Sequence, residues 1–256
     1  MKIVPARNGV AWLARGFALF RRNPPAWLAL AFAYWLAAAL LAQIPYAGHA
    51  LSIVLLPPVT MIFLTLCRDL EAGSAVRAGA LVDAFRARFR DLATLGLLNF
   101  ACFMLVLALA SLADGSVLDL ALGARDPSQE PPAGAAAARA DLVAIAASLP
   151  VMFAFWFATP LAGWGGMGPL QSLFYSFFAA FRNWRAFVVY VAALIGVGVV
   201  LLTALGMVAA ITRQSEIVWY ALLLAMILLM PIGLASSYAS YRDVFPEGRT
   251  GPLAPG

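Results

Sequence analysis

The stretch Gly16-Phe17-Ala18-Leu19-Phe20-Arg21-Arg22-Asn23-Pro24 decides how this chain is read. Two aromatics at helical spacing lead into arginines, then into an asparagine suited to cap a helix and a proline suited to its first turn. An uncharged apolar run continues to Gln43. The phrase returns as Phe85/Phe89/Arg90/Asp91 and as Phe178/Phe181/Arg182/Asn183. Each copy precedes a pair of apolar segments, and the second segment of each pair carries a proline: Pro57, Pro150 and Pro231. The chain therefore reads as three copies of one unit, an amphipathic helix followed by two spans.

Composition sets the solvent of that unit. The chain is 64% hydrophobic and 11% charged, with a mean hydropathy of +0.90. A soluble domain is about 45–50% apolar and about 25% charged. A soluble fold of 256 residues cannot hide this much apolar surface, which points to the bilayer. The first apolar run is longer than the roughly 7–15 residues of a cleavable signal core, and further spans follow it.

Transmembrane helices are expected near residues 24–43, 48–67, 92–113, 142–162, 185–210 and 217–239. Each has about 20 residues, enough at about 1.5 Å per residue to cross about 30 Å of hydrocarbon. The fold class is all-α, a polytopic bundle with repeats at 7–73, 76–162 and 169–243 inside a single membrane domain, 1–243. Residues 114–140, acidic and rich in alanine and proline, read as a flexible outer loop, and 244–256 as a disordered tail.

Lys and Arg give the orientation. Lys2, Arg7, Arg15, Arg21 and Arg22 precede the first span; Arg68, Arg77, Arg86, Arg88 and Arg90 join the second to the third; Arg182, Arg185, Arg242 and Arg249 share that side. Only Arg125, Arg139 and Arg213 fall on the other. The positive-inside rule puts both termini in the cytoplasm. The basic balance is thus a topology signal, and no basic folded module points to nucleic acid. Arg21, Arg22, Arg90, Arg182 and Arg185 sit at span ends, where long cationic side chains meet anionic headgroups.

The segments before the odd-numbered spans are amphipathic. Leu170, Leu173, Phe174, Phe177, Phe178 and Phe181 share one face of the third, opposite Gln171, Ser172, Tyr175 and Arg182. Leu81, Phe85, Phe89 and Leu92 form the second stripe, and Val10, Leu13, Phe17 and Phe20 the first. Such segments fit helices lying in the inner interface. Asn23, Asp91 and Asn183 are then expected to cap the spans that follow. Pro57, Pro150 and Pro231 each remove a donor and free a carbonyl four residues back, making them candidate hinges.

The residues Phe157-Ala-Thr-Pro160-Leu, Trp164, Gly166-Met167, Pro169, Ser176 and Arg182-Asn183-Trp184, with Val4-Pro5-Ala6-Arg7 at the start, resemble the signature of an uncharacterised bacterial six-span membrane-protein family. The amphipathic-plus-two-span pattern is more distantly similar to the membrane domain beside some glycerophosphodiester phosphodiesterases. The resemblance implies an inner-membrane location and six spans. It implies no activity, since the soluble catalytic domain of those enzymes has no counterpart in the sequence.

Chemistry-bearing residues are sparse. His49 sits in a short outer turn, and Cys67 and Cys102 have no ligand or disulfide spacing. Carboxylates lie in loops and at span ends, against an ion-coupled carrier. Asn99 is the largest uncharged polar group deep in a span. Gly196, Gly198 and Gly206 suggest close helix contact in the fifth span. No enzyme activity, cofactor or metal is expected. The expected role is a non-enzymatic scaffold, accessory subunit or lipid-contacting module, with membrane lipids and a membrane-protein partner or second copy as partners. The alternative is a permease for a small or amphiphilic solute, in which the three prolines line a cavity.

Overall fold

The computed structural model describes residues 1–45, 47–113, 135–212 and 216–246. Among these the chain is helical, without a strand. In order run α1 (Asn8–Arg22), α2 (Pro24–Ala42), α3 (Ala47–Glu71), α4 (Ala78–Arg86), α5 (Phe89–Ala113), α6 (Ala135–Trp156), α7 (Ala158–Gly163), α8 (Pro169–Arg182), α9 (Trp184–Thr212) and α10 (Glu216–Val244). Helices α2, α3, α5 and α9 and the joined stretch Ala137–Gly163 are each long and apolar enough to cross a membrane. Helix α10, with 29 residues, carries the sixth expected segment.

Helices α3, α5, α9 and α10 extend past the expected span limits because helical geometry continues into the polar ends. Residues 135–140, expected as loop, begin α6, and Val244, expected in the tail, ends α10 buried. Residues 114–134 and 247–256 lie outside the described residues.

The fourth expected span departs from a single helix. It breaks at Phe157, where φ is −106° and ψ −3°. The cause is Ser176 of α8: its hydroxyl accepts from Phe157 N at 2.9 Å and donates to Phe153 O at 2.9 Å. One hydroxyl thus inserts into the i→i−4 ladder and satisfies both backbone groups it separates.

The short helices α1, α4 and α8 lie at one end of the bundle, its base, where α3, α7 and α10 end and α2, α5 and α9 begin. Their docking is cyclic. Helix α4 packs on α3, α8 packs on α6 and α7, and α1 packs on α10, the last helix of the chain. Long helices complete the ring through α3 against α5 and α10 against α2. At the third seam, α6 meets α9 through side chains: the rings of Phe153 and Trp156 approach Phe187, and Trp156 approaches Tyr190, at 5.1–5.7 Å.

Burial is concentrated at the base. In α9 the buried residues are Ala186, Phe187 and Tyr190, whereas Ile195, Val199, Val200, Met207 and Ile211 are exposed. In α3 most buried side chains lie between Pro57 and Leu70. Away from the base the helices present exposed Phe32, Leu36, Leu40, Leu105, Leu112 and Leu142. Long apolar helices with apolar outer faces are at home in lipid, where water offers them nothing.

Glycines set the closest approaches. Gly9 of α1 leaves no room for a side chain against Ala186 O and Tyr190 N of α9, and Gly16 none against Ser236 and Ile232 O of α10. Gly96 of α5 lies against Val54 O, the carbonyl that Pro58 deprives of its helical partner. The fifth-span glycines behave otherwise: nothing lies within 4 Å of a side chain built at Gly196, Gly198 or Gly206. The expected close helix contact there is absent because α9 splays from its neighbours in this half.

Candidate functional site

Two regions gather polar or cavity-forming residues: a network at the base and a cleft above it. The base network begins with Asn183 between α8 and α9, 2% exposed. Its Oδ1 accepts from Val4 N at 2.8 Å, and its Nδ2 donates to Lys2 O at 3.1 Å and Ala179 O at 2.8 Å. Lys2 N donates to Val244 O at 2.8 Å. The N-terminal segment is therefore stitched between the ends of α8 and α10. Asn183 was expected to cap the fifth span. Its side chain instead serves a backbone 179 residues away in sequence.

Asn23 does cap α2, accepting from Ala26 N at 3.2 Å. Asp91 lies inside the first turn of α5, because that helix starts at Phe89. It pairs with Arg88 at 2.7 Å, a good place for a carboxylate near a helix N-terminus. Arg88 itself has a left-handed backbone, φ 54°.

The carboxyl end of α10 turns its ionic residues in two directions. Asp243 Oδ2 accepts from Asn8 Nδ2 at 2.7 Å and Trp12 Nε1 at 2.9 Å, fixing the register of α1. Arg242 Nε meets Glu71 Oε2 at 3.2 Å, and Tyr238 OH donates to the same oxygen at 2.6 Å. Arg22 Nη1 donates to Leu70 O at 2.5 Å and Glu71 O at 3.3 Å, closing off carbonyls at the end of α3. Arg68 lies over the Trp164 ring at 5.0 Å.

Above the base lies an apolar cleft with two adjoining lobes, about 830 and 640 Å³. Leu56, Thr60, Leu194, Met230, Gly233 and Leu234 belong to both. Tyr34 and Trp35 of α2 wall the larger lobe; Trp156 of α6 and Tyr190 of α9 wall the smaller. The cleft is open, with exposed Leu56, Leu201 and Leu202 at its walls. Besides the Tyr and Trp side chains of its walls, its polar residues are Thr60, Asn99, Thr159 and Ser237; the Trp35 Nε1 is buried with no hydrogen-bond partner among the described residues. Such volume and lining suit an apolar or amphiphilic occupant.

The residues singled out in the sequence divide. Pro57 and Asn99 line the smaller lobe. Pro231 is buried, and Pro150 is exposed; neither joins the lining of these two lobes. Arg21, Arg90, Arg182 and Arg185 are exposed, with Arg21 over Phe17 at 5.9 Å and Arg185 over Trp184 at 5.7 Å. Arg22 is exposed yet anchored on α3. Glu71, Tyr238 and Trp35 escaped notice; the first two act across helices far apart in sequence, and nothing local marks them. No group of three His, Cys, Asp or Glu gathers among the described residues.

A helical chain with several bilayer-length apolar helices, a polar base and an open apolar cleft is a multi-pass membrane protein. It belongs to the same family as a protein of Burkholderia thailandensis named "probable inner membrane protein", with 35% identity over 252 residues, 94% of this chain and 92% of that protein. No family model matches the chain. No solved structure matches it. Neither finding connects it with the glycerophosphodiester phosphodiesterases that its pattern resembles.

Proposed function

We propose that the protein is a non-enzymatic, lipid-contacting module of the bacterial inner membrane, built as three interfacial-helix-plus-two-span units with six spans and both termini in the cytoplasm. One observation carries this reading: each short helix docks by small or buried residues and leaves large apolar side chains outward. Helix α8 buries Ser172, Ser176, Ala179 and Ala180 while Leu170, Phe174, Phe178 and Phe181 remain exposed. Helix α1 buries Gly9, Trp12, Gly16 and Leu19 while Val10 and Phe17 remain exposed. Helix α4 buries Leu81 while Val82 is exposed. An outward aromatic face flanked by arginines is the arrangement of a helix seated at a headgroup boundary.

The cyclic docking supports the three-unit reading. Each interfacial helix rests on the last span of the unit before it, with α1 closing the circle on α10. The open apolar cleft supports lipid as the occupant, with acyl chains along its leucines.

A permease is the second reading, favoured by Pro57 and Asn99 in the cleft wall. It is weakened by Pro150, whose outward position removes the threefold hinge that motivated it. Gentle purification followed by identification of bound lipids and proteins tests the first reading. Retained phospholipid is the expected result. A preparation with neither lipid nor protein partner, active in solute flux from vesicles, would replace it with the second.

A further inference from the structure

We propose that the base carries a phosphate-binding pocket formed by Arg15, Arg22 and Arg242 around Glu71 and Tyr238. These residues, with Ala18, Leu19 and Ala239, line a cavity of about 140 Å³ between α1 and the ends of α3 and α10. That volume suits one phosphate group with some water and is far too small for an acyl chain.

The pocket is held by contacts outside it. The side-chain-free surface at Gly16 lets α1 approach Ser236 and Ile232, on the same helix as Tyr238, Ala239 and Arg242. Asn8 and Trp12 lock α1 lengthwise through Asp243. Arg22 Nη1 ties the other end of α1 to the last carbonyls of α3. Arg15, one turn along from Trp12, is thereby fixed beside the ends of α3 and α10.

Charge then selects the ligand. Three guanidinium groups face one carboxylate, so the cavity is cationic. Glu71 is already engaged, because its Oε2 accepts from both Tyr238 OH and Arg242 Nε. It therefore offers little to an incoming cation and orients Arg242. Among the described residues Arg22 commits only Nη1, to the α3 carbonyls, and Arg15, exposed at the rim, has no hydrogen-bond partner. A guanidinium carries five donors in a planar fork that matches phosphate oxygens in pairs. A phosphate group can satisfy these donors, because its non-bridging oxygens accept from a guanidinium fork in pairs.

Two sources supply this chemistry: the phosphodiester of a phospholipid headgroup and free inorganic phosphate. The choice of lipid rests on the lipid-contacting reading above, and on exposed Phe17 and Val10 bordering the same helix. Basic pockets between spans at the cytoplasmic side commonly hold lipid headgroups.

The test uses the full-length protein, delipidated in mild detergent. Binding of short-chain phosphatidylglycerol and of inorganic phosphate is measured separately, then in competition. Arg15→Gln should weaken binding about tenfold, as expected for one charge-assisted contact. Arg22→Gln should weaken it at least as much, and Arg86→Gln, on α4, should leave it unchanged. Arg15 has no structural bond to lose, so its variant stays informative if Arg22→Gln fails to fold. Lipid binding that Arg15→Gln weakens and that inorganic phosphate competes with assigns the pocket to a headgroup. Phosphate binding that Arg15→Gln weakens, with no lipid binding to the wild type, supports the pocket while removing its lipid source. Wild-type affinity for both probes in Arg15→Gln, or binding of neither by the wild type, overturns the proposal. Lipid retained equally by the wild type and Arg15→Gln would leave the cleft reading intact while refuting the pocket.

Discussion

At the residue scale, the base depends on hydrogen bonds whose partners lie far apart. Asn183 satisfies Val4 N and Lys2 O in a buried setting. Asn183→Leu leaves those groups unpaired, and each buried orphan costs about 1–3 kcal/mol. The expected outcome is a lower unfolding temperature and an N-terminus newly open to protease; unchanged proteolysis of residues 1–7 would contradict the assigned contact. Ser176 is similar, since one hydroxyl serves both Phe157 N and Phe153 O. Ser176→Ala should destabilise by about 1–3 kcal/mol in a reversible detergent-unfolding assay, more than Ser74→Ala on the exposed α3–α4 connection. Legibility follows sequence distance here. Asn23 was readable because it caps a helix three residues on. Asn183 shares the same phrase but its partner lies 179 residues away, so its role needed the fold.

At the element scale, the apolar runs were readable because bilayer length and uninterrupted hydrophobicity leave few alternatives to a helix. The break at Phe157 was not, because its cause sits on another helix. The short helices were found by their aromatic stripes, yet Phe17, Phe174, Phe178 and Phe181 of the first and third stripes are exposed, whereas Leu81 and Leu92 of the middle one are buried. Gly9, Trp12, Gly16 and Leu19 recur at helical spacing, and that second stripe was the missed signal. Glycine alone was ambiguous: Gly16 and Gly196 look alike in sequence but meet different surroundings. A methyl group at Gly16 would fall 2.7 Å from Ser236 N and 2.8 Å from Ile232 O. Gly16→Ala should therefore destabilise by about 1–3 kcal/mol through forced separation of α1 and α10. Gly196→Ala meets nothing within 4 Å and should be neutral or stabilising by about 0.5–1 kcal/mol through helix propensity. Paired thermal melts of the two variants measure both signs, and destabilisation of equal size would refute the distinction.

At the scale of the whole molecule, the succession of long apolar helices was legible but the docking of the first helix on the last was not. Nothing in the sequence says that α1 rests on α10, because first and last elements become neighbours only once the ring forms. The helices pack closely at the base and splay above it, which is why the apolar cleft opens there. The proposed orientation rests on the arginine distribution. Single cysteines introduced at Arg77 and His49 into a variant lacking Cys67 and Cys102 should react with an impermeant thiol reagent from opposite sides, Arg77 from the cytoplasm. Labelling of both from one side would contradict the six-span topology. The central claim is that lipid occupies the cleft, and photo-crosslinking tests it most directly. A phospholipid bearing a photoreactive group near its acyl terminus is reconstituted with the protein, and adducts are mapped by mass spectrometry. Adducts at the cleft residues Thr60 and Met230, alongside those on outward Phe32 and Leu112, are the predicted result; adducts confined to the outward residues would contradict it.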